Sequence, residues 1–430
     1  MNFSHRFRAL NTELRILLFF GTLLFYSLFG VPTPDHPGMV EILTGFGLIC
    51  AIGFPRAAFL FWNRSSHTTE RPIWMFPAWG LLVFGITVGV AMAVVQGHSM
   101  IMVFRDIVPF LFMMLPLFAY ELVRKMSVRQ KDYLLYIILL CGFIFAIRSI
   151  FIFEHDGYTE PDMLYLANAP TVLFAAIYCI CAGILSFRIA RPYVPVLLFM
   201  LAVIPVIAMG DALQRASFGA IAISAVAVWC IVLRYSLLRA GILLAGGVGI
   251  FVLVEGHITP LLTMLYEKHQ NVGGNMRLQE LEAVWAHVSQ SGITALFGNG
   301  WGAPLASPAV GGLTVNFTHS LVSALLLKTG LIGTVLLAFY LGALGVAGGR
   351  FMYRHPALAL ALFWPFMIDI FLYASYKSLD FGLILLLIAG YGSDKEYTGK
   401  NKEKEDEQRT HPYGQQDLPA VERPDGASSF

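Results

Sequence analysis

The sequence predicts an all-α polytopic membrane protein with about twelve transmembrane helices and one large loop on the outer side. Of its 430 residues, 57% are hydrophobic and only 13% are charged, a balance that soluble domains of this length do not have. Apolar segments long enough to cross about 30 Å of hydrocarbon recur along the chain. Lys and Arg concentrate in alternate connections between these segments, as the positive-inside rule requires.

Twelve apolar segments divide the chain. Residues 1–254 are predicted to hold helices 1–9, residues 255–316 the large loop, residues 317–392 helices 10–12, and residues 393–430 a disordered cytoplasmic tail that is charged and almost without aliphatic side chains. The predicted spans are 16–31, 39–55, 73–95, 100–123, 133–153, 169–187, 193–209, 216–233, 238–254, 317–347, 356–374 and 379–392.

The basic residues fix the predicted orientation. With both termini inside, all but seven of the 29 Lys and Arg residues lie in inner connections or in the tail. The seven exceptions lie outside or within spans, which makes them candidates for function. They are Arg105, Arg148, Arg215, Lys268, Arg277, Lys328 and Lys377.

Several functional classes are not indicated. The formal net charge is only +2 and no basic patch forms, so nucleic acid is not an expected partner. The five cysteines lie in apolar spans, where neither a disulfide framework nor a metal site is indicated. The G-x-G-x-G run at 298–302 is weak evidence for a nucleotide loop, and its place outside the membrane argues against one. We expect no cofactor and no metal.

The outer loop contains a predicted amphipathic helix over residues 277–290. Leu278, Leu281, Trp285 and Val288 form one stripe at helical spacing, which predicts packing on the bundle or in the membrane interface. The glycine-rich segment 298–312 predicts irregular backbone around Trp301. An alternative is a loop that merely caps the bundle, with Trp285 and Trp301 as packing or interface anchors.

Three basic residues are predicted at helix starts that face outward: Arg215, Arg277 and His319. A helix N-terminus carries partial positive charge, so a basic side chain there is unfavourable by about 0.3–1 kcal/mol unless an anion compensates. The repetition favours an anion site, and a diphosphate held by arginine forks fits it. The alternative for each arginine is a headgroup anchor or a pair with an acidic neighbour such as Asp211 or Glu280.

The segment from His319 to Thr334 has a pattern of its own. On a continuous helix, Gly330 and Gly333 lie on the face of His319 and would let another helix approach closely. Lys328 lies on the opposite face and deeper, so it needs a protein partner or a wet cavity. A single histidine at a membrane edge is most often an interfacial residue.

The spacing His319-Ser320, nine residues, Gly330, two residues, Gly333-Thr334 resembles the motif of the O-antigen ligase family, in which His and Asn, Ser or Gln precede nine residues and Gly-x-x-Gly-Thr. All five specified positions match. "QRASFGAIAIS" resembles the arginine-containing segment that opens a span in that family, and "RLQELEAVWAHVSQSGITALFGNGWG" resembles its large periplasmic loop. The resemblance covers about 205–350.

This resemblance to the O-antigen ligase and polymerase superfamily implies a GT-C-like glycosyltransferase of the bacterial inner membrane, with its active site facing the periplasm. Such enzymes take a glycan from undecaprenyl diphosphate. Ligases place it on a sugar of the lipid A-core, and polymerases place it on another lipid-linked glycan. The implied roles are His319 as general base, Arg215 and Arg277 as diphosphate clamps, and Ser320, Gly330, Gly333 and Thr334 as motif and packing residues. Metal-independent catalysis is expected.

Two alternatives stay open. Ser320 does not separate ligase from polymerase; the single long loop, whose basic residues are only Lys268 and Arg277, favours a ligase, but exopolysaccharide polymerases share this topology. A transporter or flippase of lipid-linked glycan is the other class, because Arg105, Asp106, Arg148 and Lys328 lie in or near spans. The absence of an evident internal repeat and the concentration of unusual residues at one surface argue against transport.

Overall fold

The computed structural model describes residues 3–31, 38–53, 72–156, 161–187, 192–272 and 276–392. The prediction of an all-α protein is confirmed: within these ranges the only sheet is one pair of two-residue strands. The predicted tail at 393–430 and the predicted inner connections that carry Arg56, Arg64, Arg71, Arg188 and Arg191 lie outside the described residues.

Seventeen α-helices, numbered here in chain order, build the described part. They are α1 (Phe3–Phe29), α2 (Met39–Ile52), α3 (Met75–Phe84), α4 (Val90–Val95), α5 (Met100–Met113), α6 (Leu115–Arg124), α7 (Val128–Asp156), α8 (Pro161–Ala167), α9 (Pro170–Ser186), α10 (Tyr193–Asp211), α11 (Arg215–Tyr235), α12 (Leu237–Val272), α13 (Arg277–Val288), α14 (Gly292–Phe297), α15 (Leu321–Arg354), α16 (Pro356–Phe371) and α17 (Leu379–Gly392).

Each of the twelve predicted apolar segments coincides with an apolar stretch of helix. Among the described residues, seven stretches are long and apolar enough to cross a membrane, so the prediction of a multi-pass membrane protein is confirmed. They are Thr12–Phe29, Met75–Val95, Met100–Arg124, Val128–His155, Tyr193–Asp211, Arg215–Tyr235 and Leu321–Gly349. The other five are shorter: Met39–Ile52, Pro170–Ser186, Leu237–Gly249, Pro356–Phe371 and Leu379–Gly392.

Helices α9 and α17 form the centre of the bundle. Nearly all residues of α17 and most of α9 are buried, which fits helices that are apolar all round. Helices nearer the outside keep large apolar side chains on their surface, such as Phe46, Leu197 and Phe339. That surface needs hydrocarbon rather than water, because exposed apolar area on this scale is unfavourable in water.

The first part of the predicted loop is helical. Helix α12 does not end at residue 254 but continues to Val272. The sequence favours this extension, since residues 261–265 include leucine and methionine, which are strong helix formers. The rest of the loop contains the predicted helix, now α13, the short α14, and a hairpin in which Leu305 pairs with Val315 and Ala306 with Thr314.

Helix α15 is broken, whereas the sequence analysis treated its segment as one continuous helix from His319. It begins at Leu321, and Gly330 interrupts it with φ 65° and ψ −164°. A Cβ atom on Gly298 would lie 2.5 Å from the backbone nitrogen of Gly330, so two backbones meet here without side chains between them. Gly330 does receive a close approach, but from Leu296 at the end of the short α14 and from Gly298 in the turn after it, and it does so at a break in α15. Its left-handed φ favours glycine.

Candidate functional site

His319 and Glu280 form an acid–base pair just before α15. The ring nitrogen Nδ1 of His319 lies 2.9 Å from Oε1 of Glu280, and the backbone N–H of His319 donates to Oε2 at 2.9 Å. The hydroxyl of Ser307 donates to Oε1 at 2.6 Å. One carboxylate from α13 therefore holds both the ring and the backbone of the histidine, and it connects them to the loop hairpin.

The surroundings of Glu280 favour its charged form. The residue is only 1% exposed, and burial alone would raise the pKa of its carboxyl group. The hydrogen bonds from the His319 ring, the Ser307 hydroxyl and the His319 backbone outweigh burial, so the pKa of Glu280 lies below its ordinary value. Glu280 also lies in the first turn of α13, where the helix dipole favours a negative charge.

This pairing determines which nitrogen of His319 carries the proton. An ionised carboxylate only accepts hydrogen bonds, so Nδ1 is the protonated nitrogen of the neutral ring and Nε2 keeps its lone pair. The His319 side chain is 19% exposed, in contrast to its buried partner. The arrangement therefore presents an oriented nitrogen base at the surface of the site, as in hydrolase triads in which a carboxylate orients a histidine.

The burial of Glu280 corrects the predicted face of the amphipathic helix. Glu280, Val284 and Val288 form the buried stripe of α13, whereas Leu278 and Trp285 are exposed. From the sequence, Glu280 was expected only as a partner for an arginine, because a glutamate is rarely buried without a partner. The available signal was its spacing of four and eight residues from two valines, which places it on their face.

Arg215 and Arg277 lie at helix starts, as predicted: α11 begins at Arg215 and α13 at Arg277. Tyr373, which follows α16, interacts electrostatically with both guanidinium groups. Arg277 in turn interacts with Glu280, one turn further along α13. The structure therefore brings all three predicted site residues into one neighbourhood, linked in the order His319, Glu280, Arg277, Tyr373 and Arg215.

Two buried donors in this neighbourhood have no acceptor among the described residues. One is Nη1 of Arg277, and the other is Nε2 of Gln214, the residue just before Arg215. Burial lowers the pKa of Arg277, although Glu280 and Tyr373 act in the opposite direction. Buried donors in folded proteins are nearly always satisfied, so a bound group with oxygen acceptors and negative charge would complete this part of the site.

The connection between α16 and α17 lies near both parts of the site, the arginines and the segment around His319. Besides Tyr373 at the arginines, the hydroxyl of Tyr376 donates to the carbonyl of Thr318 at 3.4 Å. Nζ of Lys377 lies 4.8 Å from the centre of the Phe317 ring, which itself meets the His319 ring edge-on. Of these residues, only Lys377 was a candidate from the sequence. Two tyrosines and a lysine within the five residues 373–377 of a short connection were the signal for the rest.

The glycine-rich turn docks into the bundle beside the site. The backbone N–H groups of Asn299 and Gly300 donate to the carbonyls of Leu327 and Lys328, at 2.8 and 3.0 Å. These carbonyls precede the break at Gly330, so they are not needed for a regular helix ladder. The indole of Trp301 is buried and donates to the carbonyl of Gly85 at 2.7 Å. As the packing interpretation held, Trp301 is a structural anchor.

Gly85 begins a π-helical turn, residues 85–89, between α3 and α4. A π-turn changes the local hydrogen-bond ladder, and here a carbonyl in that turn accepts the indole N–H. A Cβ atom on Gly89 would lie 2.6 Å from the indole nitrogen, so this glycine makes space for the ring.

A second acid–base pair, formed by Lys328 and Asp106, holds the same turn against α5. Nζ of Lys328 donates to Oδ2 of Asp106 in α5, and both residues are buried. The backbone N–H of Gly302 donates to the same oxygen at 2.7 Å, and Nζ also donates to the carbonyl of Asn316 at 3.1 Å. Asp106 is the partner of Lys328 that the sequence analysis left unidentified.

The remaining motif residues have local roles. The hydroxyl of Ser320 accepts the backbone N–H of Ser323 at 3.1 Å, which caps the start of α15. Thr334 donates to the carbonyl of Gly330 at 2.8 Å, beside the break. Gly333 lies against the side chain of Thr329, and Phe84 of α3 is the nearest residue from another helix. These motif residues therefore stabilise the local structure that follows His319.

The described residues contain no group of three or more His, Cys, Asp or Glu side chains suited to a metal ion. No family model matches the chain, and no curated protein matches it.

Proposed function

We propose that this protein is a glycosyltransferase of the O-antigen ligase type, which transfers a glycan from undecaprenyl diphosphate to a sugar hydroxyl of the lipid A-core. The observation that carries the proposal is the pairing of His319 with buried Glu280 beside Arg277, whose buried Nη1 has no acceptor among the described residues. An oriented base and an anion site are the two parts that glycosyl transfer from a diphosphate needs.

In this mechanism, Nε2 of His319 takes the proton from the acceptor hydroxyl as its oxygen attacks the anomeric carbon of the donor sugar. The bond between that carbon and the diphosphate oxygen breaks, and its electron pair leaves with undecaprenyl diphosphate. Glu280 remains ionised and stabilises the imidazolium that forms, because its carboxylate faces Nδ1–H. The histidine then loses the proton to water.

Arg215 and Arg277 bind the diphosphate as charge develops on the leaving oxygen. A guanidinium offers planar paired donors that match phosphate oxygens, and its charge persists at every physiological pH. The two groups supply the positive charge that a metal ion brings to diphosphates in other transferases. The proposal therefore includes metal-independent catalysis, and we expect transfer to continue in EDTA.

The proposal includes a topology. All twelve apolar segments would cross the bacterial inner membrane in a GT-C-like arrangement, with the site at the periplasmic face and both termini in the cytoplasm. The alternation of the basic residues supports this orientation. The four shorter helices α2, α9, α16 and α17 would cross where protein and a locally thinner bilayer surround them.

A polymerase that extends a lipid-linked glycan would use the same base and the same arginines. The single long outer loop with few basic residues favours the ligase. Transport is less well supported, because charges that suggested a pathway have structural contacts: Lys328 pairs with Asp106, and Nη1 of Arg148 donates to the carbonyls of Ser27 and Gly30 at the end of α1.

The test is a transfer assay with purified protein in liposomes. Undecaprenyl-diphosphate-linked glycan is supplied with and without lipid A-core, and the products are separated on a gel. Glycan joined to the core indicates a ligase, and chain growth without the core indicates a polymerase. We expect His319→Ala to lower either activity by about 10²–10⁴-fold, the usual contribution of a general base.

His287→Ala is the matched control, since His287 lies on the same loop helix without a contact to Glu280. It should transfer glycan at the rate of the wild type. If active donor and either acceptor give no product, or if His319→Ala is fully active, the proposal fails and transport becomes the leading hypothesis.

A further inference from the structure

The segment between His287 and His319 is uncharged over its whole length. Residues 288–318 contain no Asp, Glu, Lys, Arg or His, although 13% of the chain is charged. From the sequence, this segment was expected outside the membrane, within the loop over residues 255–316. Soluble domains carry about one charged residue in four. The composition therefore indicates an apolar environment for a large part of the segment.

The glycine-rich turn after α14, residues 298–302, lies at the level of the middle of two spans. The indole of Trp301 donates to the carbonyl of Gly85, the central residue of the span Met75–Val95, at 2.7 Å. The centre of the same ring system lies 4.9 Å from that of Phe110, which is near the middle of the following span. The turn therefore lies well within the thickness of hydrocarbon that these spans cross.

The last turn of α14 is similarly deep. Gly330 lies nine residues after Leu321, where α15 begins, which is about 13 Å along a helix at 1.5 Å per residue. A Cβ atom on Gly330 would lie 2.5 Å from the carbonyl oxygen of Leu296, so α14 contacts α15 at that level. The ring of Phe297 stacks on that of Phe84, with centroids 6.4 Å apart, and Phe84 lies next to the centre of its own span.

The N–H groups of the turn are satisfied by protein, as hydrocarbon requires. Each N–H from Gly298 to Gly302 donates to a protein acceptor; the acceptors are the carbonyls of Thr294, Leu327, Lys328 and Gly89 and Oδ2 of Asp106. The hydroxyl of Thr294, the one polar side chain of α14, donates to the carbonyl of Val288 at 2.7 Å. Irregular backbone occurs at membrane depth only where it is buried in protein or lines a water-filled cavity. These donors meet that condition through protein contacts.

Two large apolar side chains of α14 remain on the surface. Ile293 is 61% exposed and Leu296 is 46% exposed, and no residue of this helix is buried. Leu331, which follows the contact at Gly330, is also exposed and belongs to the span Leu321–Gly349. The exposed face of α14 therefore lies at the level of a surface that faces lipid.

We propose that α14 and the turn 298–302 form a re-entrant segment within the bilayer, in which Ile293 and Leu296 contact lipid acyl chains. Hydrocarbon is the partner, because this face carries no charge and lies at the depth of the lipid-facing surface of α15. The proposal does not depend on the glycosyltransferase proposal, since it requires only a membrane protein. The chain enters and leaves the bilayer on the same side, so the orientation of α15 is unchanged.

Nitroxide labels measure the environment of this face in protein reconstituted in liposomes. The exposed native cysteines, Cys50 and Cys230, are first replaced by alanine, and a label is attached to Leu296→Cys. Oxygen concentrates in hydrocarbon and a nickel chelate stays in water, so the ratio of their collision rates with the label reports its depth. We expect the ratio to match that of Val335→Cys, an exposed position in the span of α15.

Gln279→Cys is the matched control, because Gln279 is an exposed polar residue of α13 in the same loop. The collision ratio at Leu296→Cys should be several-fold higher than at this control, and Ile293→Cys should also exceed it. Gel filtration establishes that each labelled protein is folded. Ratios at Leu296→Cys and Ile293→Cys equal to that at Gln279→Cys would place α14 in water and overturn the proposal.

A charged substitution tests the same face without a label. Ile293 and Gln279 both lie in the first turn of a helix, where an aspartate in water is neutral or favourable. In contact with acyl chains the carboxylate is unfavourable. We expect the melting temperature in liposomes to fall in Ile293→Asp and to remain that of the wild type in Gln279→Asp. An unchanged melting temperature in Ile293→Asp would contradict lipid contact.

Discussion

Two acid–base pairs lie where the loop between α12 and α15 packs on the bundle, one in the bundle helices and one in the loop, and they differ in which atoms remain free. In the pair of Lys328 and Asp106, both side chains are buried, and further hydrogen bonds come from Gly302 and go to Asn316. In the pair of His319 and Glu280, only the carboxylate is buried, and Nε2 of the histidine stays outside the pair.

The difference separates a structural pair from a chemical one. In a fully buried ion pair the two charges neutralise each other, and removing one partner leaves the other charge buried and uncompensated. In a pair with one partly exposed member, the buried carboxylate orients the ring that carries the reactive nitrogen. Substitutions in the first pair should therefore act mainly on stability, and substitutions in the second mainly on turnover.

The largest effect should follow Lys328→Met, which leaves the Asp106 carboxylate buried without its cation. We expect a loss of about 3–5 kcal/mol in the free energy of unfolding. Denaturant titration in mixed micelles measures it. Lys125→Met is the control, because Lys125 is an exposed lysine just after α6 and its substitution should change stability by less than about 0.5 kcal/mol. Equal stability of both variants would contradict the structural role.

Glu280→Gln should act in the opposite way. It preserves the shape of the side chain but replaces the charged acceptor of Nδ1–H with an amide, so the base is oriented less well and its imidazolium is less stabilised. We expect turnover to fall about ten- to hundredfold, the range for a hydrogen bond to a charged group. The transfer assay measures it. A melting temperature that falls as far as in Lys328→Met would erase the contrast between the two pairs.

The charge of Glu280 should also appear in the pH dependence of stability. Because its folded pKa is lowered from 4.5, the folded state binds its proton less readily than the unfolded state. The stabilisation is therefore complete above pH 4.5 and is lost as pH falls through the folded pKa. Thermal melting of wild type and Glu280→Gln should converge in that acidic range. A difference that stays constant down to the lowest pH would rule out an ionised Glu280.

The smallest effect should follow Trp301→Phe, which removes the indole donor to Gly85 but keeps an aromatic ring. We expect a loss of about 0.5–1.5 kcal/mol in the free energy of unfolding, the net contribution of one hydrogen bond. Trp285→Phe, on the exposed face of α13, is the control and should be near neutral. Denaturant titration compares the two, and identical midpoints would show that the turn after α14 does not depend on this hydrogen bond.

The twelve apolar segments and the helix starts at Arg215 and Arg277 were predictable, because hydropathy and local residue preferences act over short distances. Glu280 and Asp106 were not identified as partners, because each pairing joins residues far apart in the chain. The break at Gly330 was not predicted for the same reason. Helical spacing assumes a continuous helix, whereas the backbone at the break is in contact with Gly298, which is distant in sequence. Tyr373 lies outside the matched motif and became visible only through its contacts.

The break in α15 has a consequence for how the protein is assembled. The turn at 298–300 is synthesised before the carbonyls of Leu327 and Lys328 that receive it, and Tyr373 and Tyr376 follow later still. Because a chain leaves the ribosome from its N-terminus, the loop between α12 and α15 has no partners until α15 and the connection after α16 have been inserted. A chain that stops before Leu321 would contain His319 and Glu280 but neither the α15 carbonyls that hold the turn at 298–300 nor the connection after α16. The site can therefore be complete only after α15 and the connection after α16 have been inserted.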